Sequence, residues 1–170
     1  MSGFKYNDRD GKRVKMVSVS KSELDPQHLL VLYAVNKAPK GVPTKTHYQK
    51  MMYLVLKALG NDPRKSADYV PDHFGPYSPM VDQWRSALVE YGYLIKNSRE
   101  RININPEVQK DVDLIHFPDR MKARKIESIA EFINSLTYRQ LLLYIYSDDL
   151  KKNEGMTDRS DVVDDIMASR

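Results

Sequence analysis

At Gly92 the apolar repeat of the chain changes from the spacing of a helix to the alternation of a strand. The residues before it are apolar at three- and four-residue intervals, which predicts a helix with one buried face. These apolar residues are Val81, Trp84, Leu88 and Tyr91. The stretches 93–96 and 101–105 alternate on either side of the polar residues 97–100, which predicts a β-hairpin. A helix joined directly to a hairpin indicates a mixed α+β architecture.

The helix that precedes the hairpin has a sharply defined start. Gly75 and Pro76 force a turn in the backbone. Ser78 can then accept a hydrogen bond from the first free helical amides, and Pro79 presets the φ angle of the first helical residue. The sequence therefore predicts a helix from Pro79 to Tyr91.

Two further helices are predicted upstream. Asp25 followed by Pro26 is typical of a helix start, and Pro39 ends that helix. Thr44 can cap the next helix, in which apolar residues recur with helical spacing until Gly60.

The remaining ranges complete a single globular unit. Residues 1–24 show no sustained period and are interpreted as a flexible N-terminal arm or an edge strand. Residues 25–105 form the core with the hairpin, and residues 106–170 form a helical extension packed on it, in which Thr137 and Gln140 fit a capping box. We expect a mainly α fold with a small β-hairpin.

Two helices, a third helix and then a hairpin is the element order of the winged helix-turn-helix. In that arrangement the third helix enters the major groove, and the hairpin, or wing, reaches the backbone or a neighbouring groove. Here the candidate recognition helix spans 79–91 and the wing spans 93–105. The predicted DNA contacts are Gln83, Arg85 and Ser86 on the helix and Lys96, Arg99 and Arg101 on the wing.

The side chains of these residues suit different contacts. Gln83 and Arg85 carry groups that can read base edges, whereas the wing cations can hold phosphates. Double-stranded DNA is therefore the expected partner of a transcriptional regulator. However, Asp82 and Glu90 give the helix as much negative as positive charge, so use of the same scaffold as a protein-binding adaptor stays open.

Charge is unevenly distributed along the 170 residues, whose formal net charge is +4. Residues 1–105 contain 17 basic and 10 acidic residues, a net +7, whereas residues 106–170 contain 10 and 13, a net −3. Such an imbalance is typical of a chain whose two parts meet different partners, or of two parts that attract each other.

Composition excludes several classes of site and of protein. The chain has no cysteine, which excludes disulfides, thiolate metal sites and a cysteine nucleophile. The apolar run 51–56 is too short to span a bilayer, and the polar first sixteen residues do not resemble a secretory signal. We expect a cytoplasmic protein without a membrane partner.

Catalytic patterns are not found either. The four histidines, at positions 28, 47, 73 and 116, are dispersed, and none forms a helical metal-binding pair. The seven glycines contain no phosphate-binding pattern, and Ser78 is explained by capping. We therefore expect no catalytic residue, cofactor or metal.

The acidic C-terminal helices offer a dimerisation surface. Tyr144 and Tyr146 fall on different faces of a leucine-rich helix, which can leave one apolar side for a partner. A homodimer through this region would relate two wings by a two-fold axis.

Four segments carry a resemblance to a known group of proteins. They are THYQKMMYL at 46–54, HFGPYSP at 73–79, YGYLI at 91–95 and LTYRQLLLYIY at 136–146. Together they resemble the YwgA-like group of bacterial and archaeal proteins, which is more distantly similar to the Panacea-type antitoxin domain. The resemblance spans roughly residues 27–163 and implies a mostly helical, winged-helix-like fold. The Panacea relatives imply toxin neutralisation or an adaptor role.

Overall fold

The computed structural model describes residues 3–7, 13–17, 23–72, 75–97 and 99–146, with the first two ranges described as backbone only. The described chain is mainly helical and contains a small antiparallel hairpin in the predicted position, which confirms the α+β class. Its helices are α1 Pro26–Asn36, α2 Lys45–Ala58, α3 Pro63–Ala67, α4 Pro79–Glu90, α5 Gln109–Asp113, α6 Arg120–Ser135 and α7 Tyr138–Ile145. A 3₁₀ turn, Pro106–Val108, precedes α5.

Side-chain caps begin most of the long helices, as the sequence predicts. The hydroxyl of Thr44 accepts from the third amide of α2, and Ser78 does the same for α4. Thr137 and Gln140 form the capping box of α7. Asp25 precedes α1, but its carboxylate makes no capping hydrogen bond there.

The predicted wing is formed by β3 (Leu94–Lys96) and β4 (Ile102–Ile104), paired so that Leu94 faces Ile104. A third segment joins it. Val42, in the loop between α1 and α2, exchanges two backbone hydrogen bonds of 2.8 Å with Ile102. A single pairing residue between a glycine and a proline has no period of its own, so periodicity could not have found it.

A second hairpin lies within residues 1–24, where the sequence predicts an arm or an edge strand. Strand β1 (Gly3–Asn7) pairs antiparallel with β2 (Arg13–Val17). The register places Phe4 opposite Met16 and Tyr6 opposite Val14. Each strand alternates over only five residues, which is too short to stand out among the charged residues around it.

The core is continuous between the range 25–105 and the helical extension. Its fully buried residues come from α1, α2, α4 and the wing, and also from α6 and α7. Two contacts show that α2 and α6 run antiparallel. His47, in the first turn of α2, contacts Leu136, just after the end of α6, whereas Met51, further along α2, contacts Asn134, which lies earlier in the chain. The extension predicted beyond Tyr146 lies outside the described residues. None of the helices in the described ranges is both long and apolar enough to cross a membrane.

Candidate nucleic-acid interface

The start of α4 is held against α2 by buried hydrogen bonds. The side-chain amide of Gln49 donates to the backbone carbonyl of Ser78 at 2.9 Å and accepts from the backbone amide of Ser78 at 3.0 Å. The Ser78 hydroxyl accepts from the Val81 amide at 3.0 Å and donates to the Ala67 carbonyl. Tyr48 donates its hydroxyl to the Val81 carbonyl at 2.7 Å. These bonds involve backbone groups at both ends of the first turn, so the position of α4 on α2 is well defined.

Arg85 lies on the buried face of α4, and its predicted exposure is wrong. Its exposed fraction is 4%. The residue follows Val81 by four positions and precedes Leu88 by three, which places it on the same face as both. The guanidinium is paired with Asp82, with Nη2 at 3.0 Å and Nε at 3.1 Å from the same carboxylate oxygen. Arg85 is therefore engaged within α4 and is not free to read a base edge.

The other two predicted residues of α4 are accessible. Gln83 and Ser86 are exposed, as are Val89 and Glu90. Trp84, predicted to be buried, is half-buried. Because Arg85 is the only basic residue of α4, the exposed face of this fully described helix has no cation.

The wing presents its cations on both sides of a well-formed turn. Lys96 and Arg99 are exposed, and Arg101 is half-buried. The Asn97 side chain closes the turn by accepting from the amides of Arg99 at 2.9 Å and Arg101 at 3.0 Å. Glu100 completes it with a φ angle of 59°. The Asn97 side chain thus ties together the backbone at Arg99 and Arg101.

Charged groups of both signs lie near Lys96, where the wing meets α4. Partial burial lowers the pKa of Lys96, and the nearby cations Arg85 and Lys45 lower it further, against the opposing carboxylates Glu100 and Asp82. Lys45 could not be singled out from the sequence, because a polar residue in the first turn of a helix is ordinary.

Arg101 is directed away from the wing turn. Its Nη1 donates to the Lys40 carbonyl at 3.0 Å, in the loop between α1 and α2. This bond helps to attach the wing to the same loop that carries Val42. Arg101 consequently supports the base of the wing.

His47, buried beside Arg101, has both ring nitrogens engaged. Nε2 donates to the Leu136 carbonyl at 2.8 Å, so Nδ1 accepts from the Thr44 hydroxyl at 2.7 Å. Burial lowers the pKa of His47, and the charge of Arg101 lowers it further, while the bond to Leu136 opposes both. His47 is therefore a neutral histidine whose role is structural.

A second group of cations lies at the far end of the molecule. It consists of the exposed residues Arg120, Lys122, Arg124 and Lys125, in the first half of α6. Since α2 and α6 are antiparallel, the 14 residues of α2, about 20 Å of helix, separate this group from the wing. The cations of α6 are therefore separate from those of the wing.

Metal-binding clusters are not found in the part of the chain that the structure describes: no three histidine, aspartate or glutamate side chains are placed to share an ion. His73, in the loop before α4, is outside that part. A scan against family models and searches of curated proteins and of solved structures find no match to this chain.

Proposed function

We propose that the protein is a non-enzymatic, DNA-binding regulator of transcription in which a winged-helix-like core contacts the duplex mainly through its wing. The observation that carries this proposal is the pair of exposed cations, Lys96 and Arg99, on a hairpin anchored to the core at Val42. A phosphate backbone placed there would pair with both cations and release their counterions.

The proposed contacts differ from those of a helix-led reader. Lys96 and Arg99 hold phosphates and supply most of the affinity. Gln83 and Ser86, exposed on α4, supply the contacts to base edges, since a glutamine amide can pair with adenine. Glu90 and Asp82 oppose deep entry of α4 into the groove, so the affinity is expected to be moderate. A cytoplasmic location, as expected from the sequence, is consistent with such a regulator.

A pair of double variants with equal charge change tests the proposal. Lys96→Ala with Arg99→Ala removes two wing cations, and Arg124→Ala with Lys125→Ala removes two at the far end of the molecule. In a duplex-binding titration we expect the wing variant to lose at least about tenfold in affinity and to reduce the salt slope by about two. The α6 variant should resemble the parent. Equal losses in both variants, or parental binding that is insensitive to salt, would contradict the proposal.

A protein-binding adaptor is the second candidate, and the exposed face of α4 favours it. That face has no cation and combines Val89 with Gln83 and Ser86. Helix faces of this composition suit a protein partner better than a phosphate backbone. Under this alternative, Val89→Asp would abolish partner binding, the wing variant would retain it, and salt would have little effect on it.

A further inference from the structure

A cleft of about 530 Å³ lies where α2, the base of the wing and the corner between α6 and α7 meet. Its volume is within the usual range for a small-molecule site. Its polar walls include Lys40, Thr44, His47, Arg101, Asn134 and Thr137. None of the residues that carry the proposed function, Gln83, Ser86, Lys96 and Arg99, belongs to its lining.

The cleft is positively charged. Lys40 and Arg101 line it, and no carboxylate occurs among its described lining residues. Arg101 uses Nη1 to reach the Lys40 carbonyl, and no carboxylate in the described ranges forms an ion pair with it. A guanidinium has five donors, so Arg101 keeps several for another acceptor. His47 does not compete, because both its ring nitrogens are occupied.

Two helix starts add partial positive charge to the same cleft. Thr44 and Thr137, the N-caps of α2 and α7, both belong to its walls. The cap hydroxyls satisfy the third amide of each helix, so these helix starts contribute partial positive charge to the cleft and not a full set of free donors. This partial charge and an arginine without a carboxylate partner together favour an anion.

Asn134 closes the wall of the cleft and does not supply a contact for a ligand. Its side-chain nitrogen donates to the Ala130 carbonyl at 2.8 Å and contacts the Met51 sulfur at 3.2 Å, which fixes the orientation of the amide. Its Oδ1 is buried and accepts no hydrogen bond from the described residues. The charges that a ligand can reach are therefore those of Arg101 and Lys40.

We propose that this cleft binds a small organic anion, a carboxylate or a phosphate. The anionic group pairs with Arg101 and Lys40. The apolar part of the wall, which includes Pro43, Leu136 and the exposed ring of Tyr138, accommodates an aromatic or aliphatic body. A ligand held there bridges the base of the wing and the helical extension, whether or not the wing binds DNA.

The test is a titration of the labelled protein followed by amide chemical shifts. The probes are para-hydroxybenzoate, phenyl phosphate and the neutral para-hydroxybenzamide. We expect saturable shifts with at least one anion, centred on the starts of α2 and α7, and no saturation with the neutral amide. Saturation by the carboxylate alone, or by the phosphate alone, supports the proposal and identifies the head group.

Variants decide whether the anion occupies this cleft. Arg101→Gln should weaken binding by about tenfold or more, the range expected for a charged hydrogen bond. Lys40→Gln tests the same charge without removing the bond from Arg101 to the backbone, so it remains informative if the loop is disturbed in Arg101→Gln. Arg99→Gln, on the same hairpin but outside the cleft, is the matched control. Undiminished binding in both cleft variants, saturable binding of the neutral amide, or no saturable shift with either anion would overturn the proposal.

Discussion

At the scale of the residue, His47 links the charge of the cleft to the stability of the fold. Its folded-state pKa lies below the ordinary value of 6.5, first because the ring is buried. As the pH falls below 6.5, the unfolded chain takes up a proton that the folded protein does not. The contribution of His47 to stability is therefore fully present above this pH and is lost as the pH falls through the folded-state pKa.

We predict that the free energy of unfolding falls between pH 7 and pH 5 by up to about 1.4 kcal/mol per pH unit on account of this one group. Urea unfolding across that range measures it. His47→Gln should flatten the dependence, whereas His116→Gln, a change at an exposed histidine, should leave it as in the parent. A parental profile that His47→Gln does not alter would show that His47 does not control it.

Arg85 shows what residue-level prediction lacks. Its spacing from Val81 and Leu88 allowed burial, and its spacing from Asp82 allowed an ion pair. Either feature, taken alone, also fits an exposed arginine on a solvated face. The choice depends on what α4 packs against, because a buried guanidinium is tolerated only where a partner and other acceptors meet it.

At the scale of the element, the wing depends on a close approach at Gly41. Its φ angle is +78°, and a Cβ there would collide with the Asn103 side chain and lie 2.7 Å from the Ile102 carbonyl. That carbonyl accepts the hydrogen bond from Val42 that joins the loop to the wing. Glycine is therefore needed at position 41 for space as well as for conformation.

We predict that Gly41→Ala destabilises the protein by at least about 1 kcal/mol more than Gly60→Ala. Gly60 has a similar φ angle of +83°, but a Cβ there would meet nothing within 4 Å. The two variants thus share the backbone strain of about 1–2 kcal/mol and differ in the collision. Urea unfolding of both measures the difference. Equal destabilisation of the two variants would contradict the prediction, because it would mean that the loop and the wing can move apart at position 41 without a cost in free energy.

At the scale of the whole molecule, the exposed cations of the wing and of α6 lie apart, and the core joins both parts of the chain. Further exposed cations lie on α2, α3 and α5, so the net +4 of the sequence does not indicate where the basic surface is. The helical extension also exposes Phe132, 48% accessible, whose ring meets Tyr144 edge-on at 5.3 Å between centroids. An exposed aromatic pair of this kind is the sort of surface that a second copy can cover.

Homodimerisation through α6 and α7 stays a prediction. We expect sedimentation at tens of micromolar to show a dimer and Phe132→Gln to shift it toward monomer, because the aromatic contact area is lost. Val70→Gln, which changes an exposed apolar residue outside these helices, should leave the dimer intact. A monomeric parent protein at this concentration would refute the dimer.

The sequence by itself determined several of the elements: the caps at Thr44, Ser78 and Thr137, the helices that they begin and the hairpin after Gly92. These features depend on hydrogen bonds and periodicities that act over a few residues, and such patterns are visible along the chain. The same locality explains why the position of the wing could be predicted but not its pairing with Val42.

Only the tertiary structure decided which predicted contact residues are available. It left Gln83, Ser86, Lys96 and Arg99 accessible, buried Arg85 against Asp82, and directed Arg101 into a cleft with His47. Whether a long cationic side chain faces water or a carboxylate depends on neighbours that are distant in sequence. The free energy of burying a charge is set by those neighbours and not by its spacing along a helix.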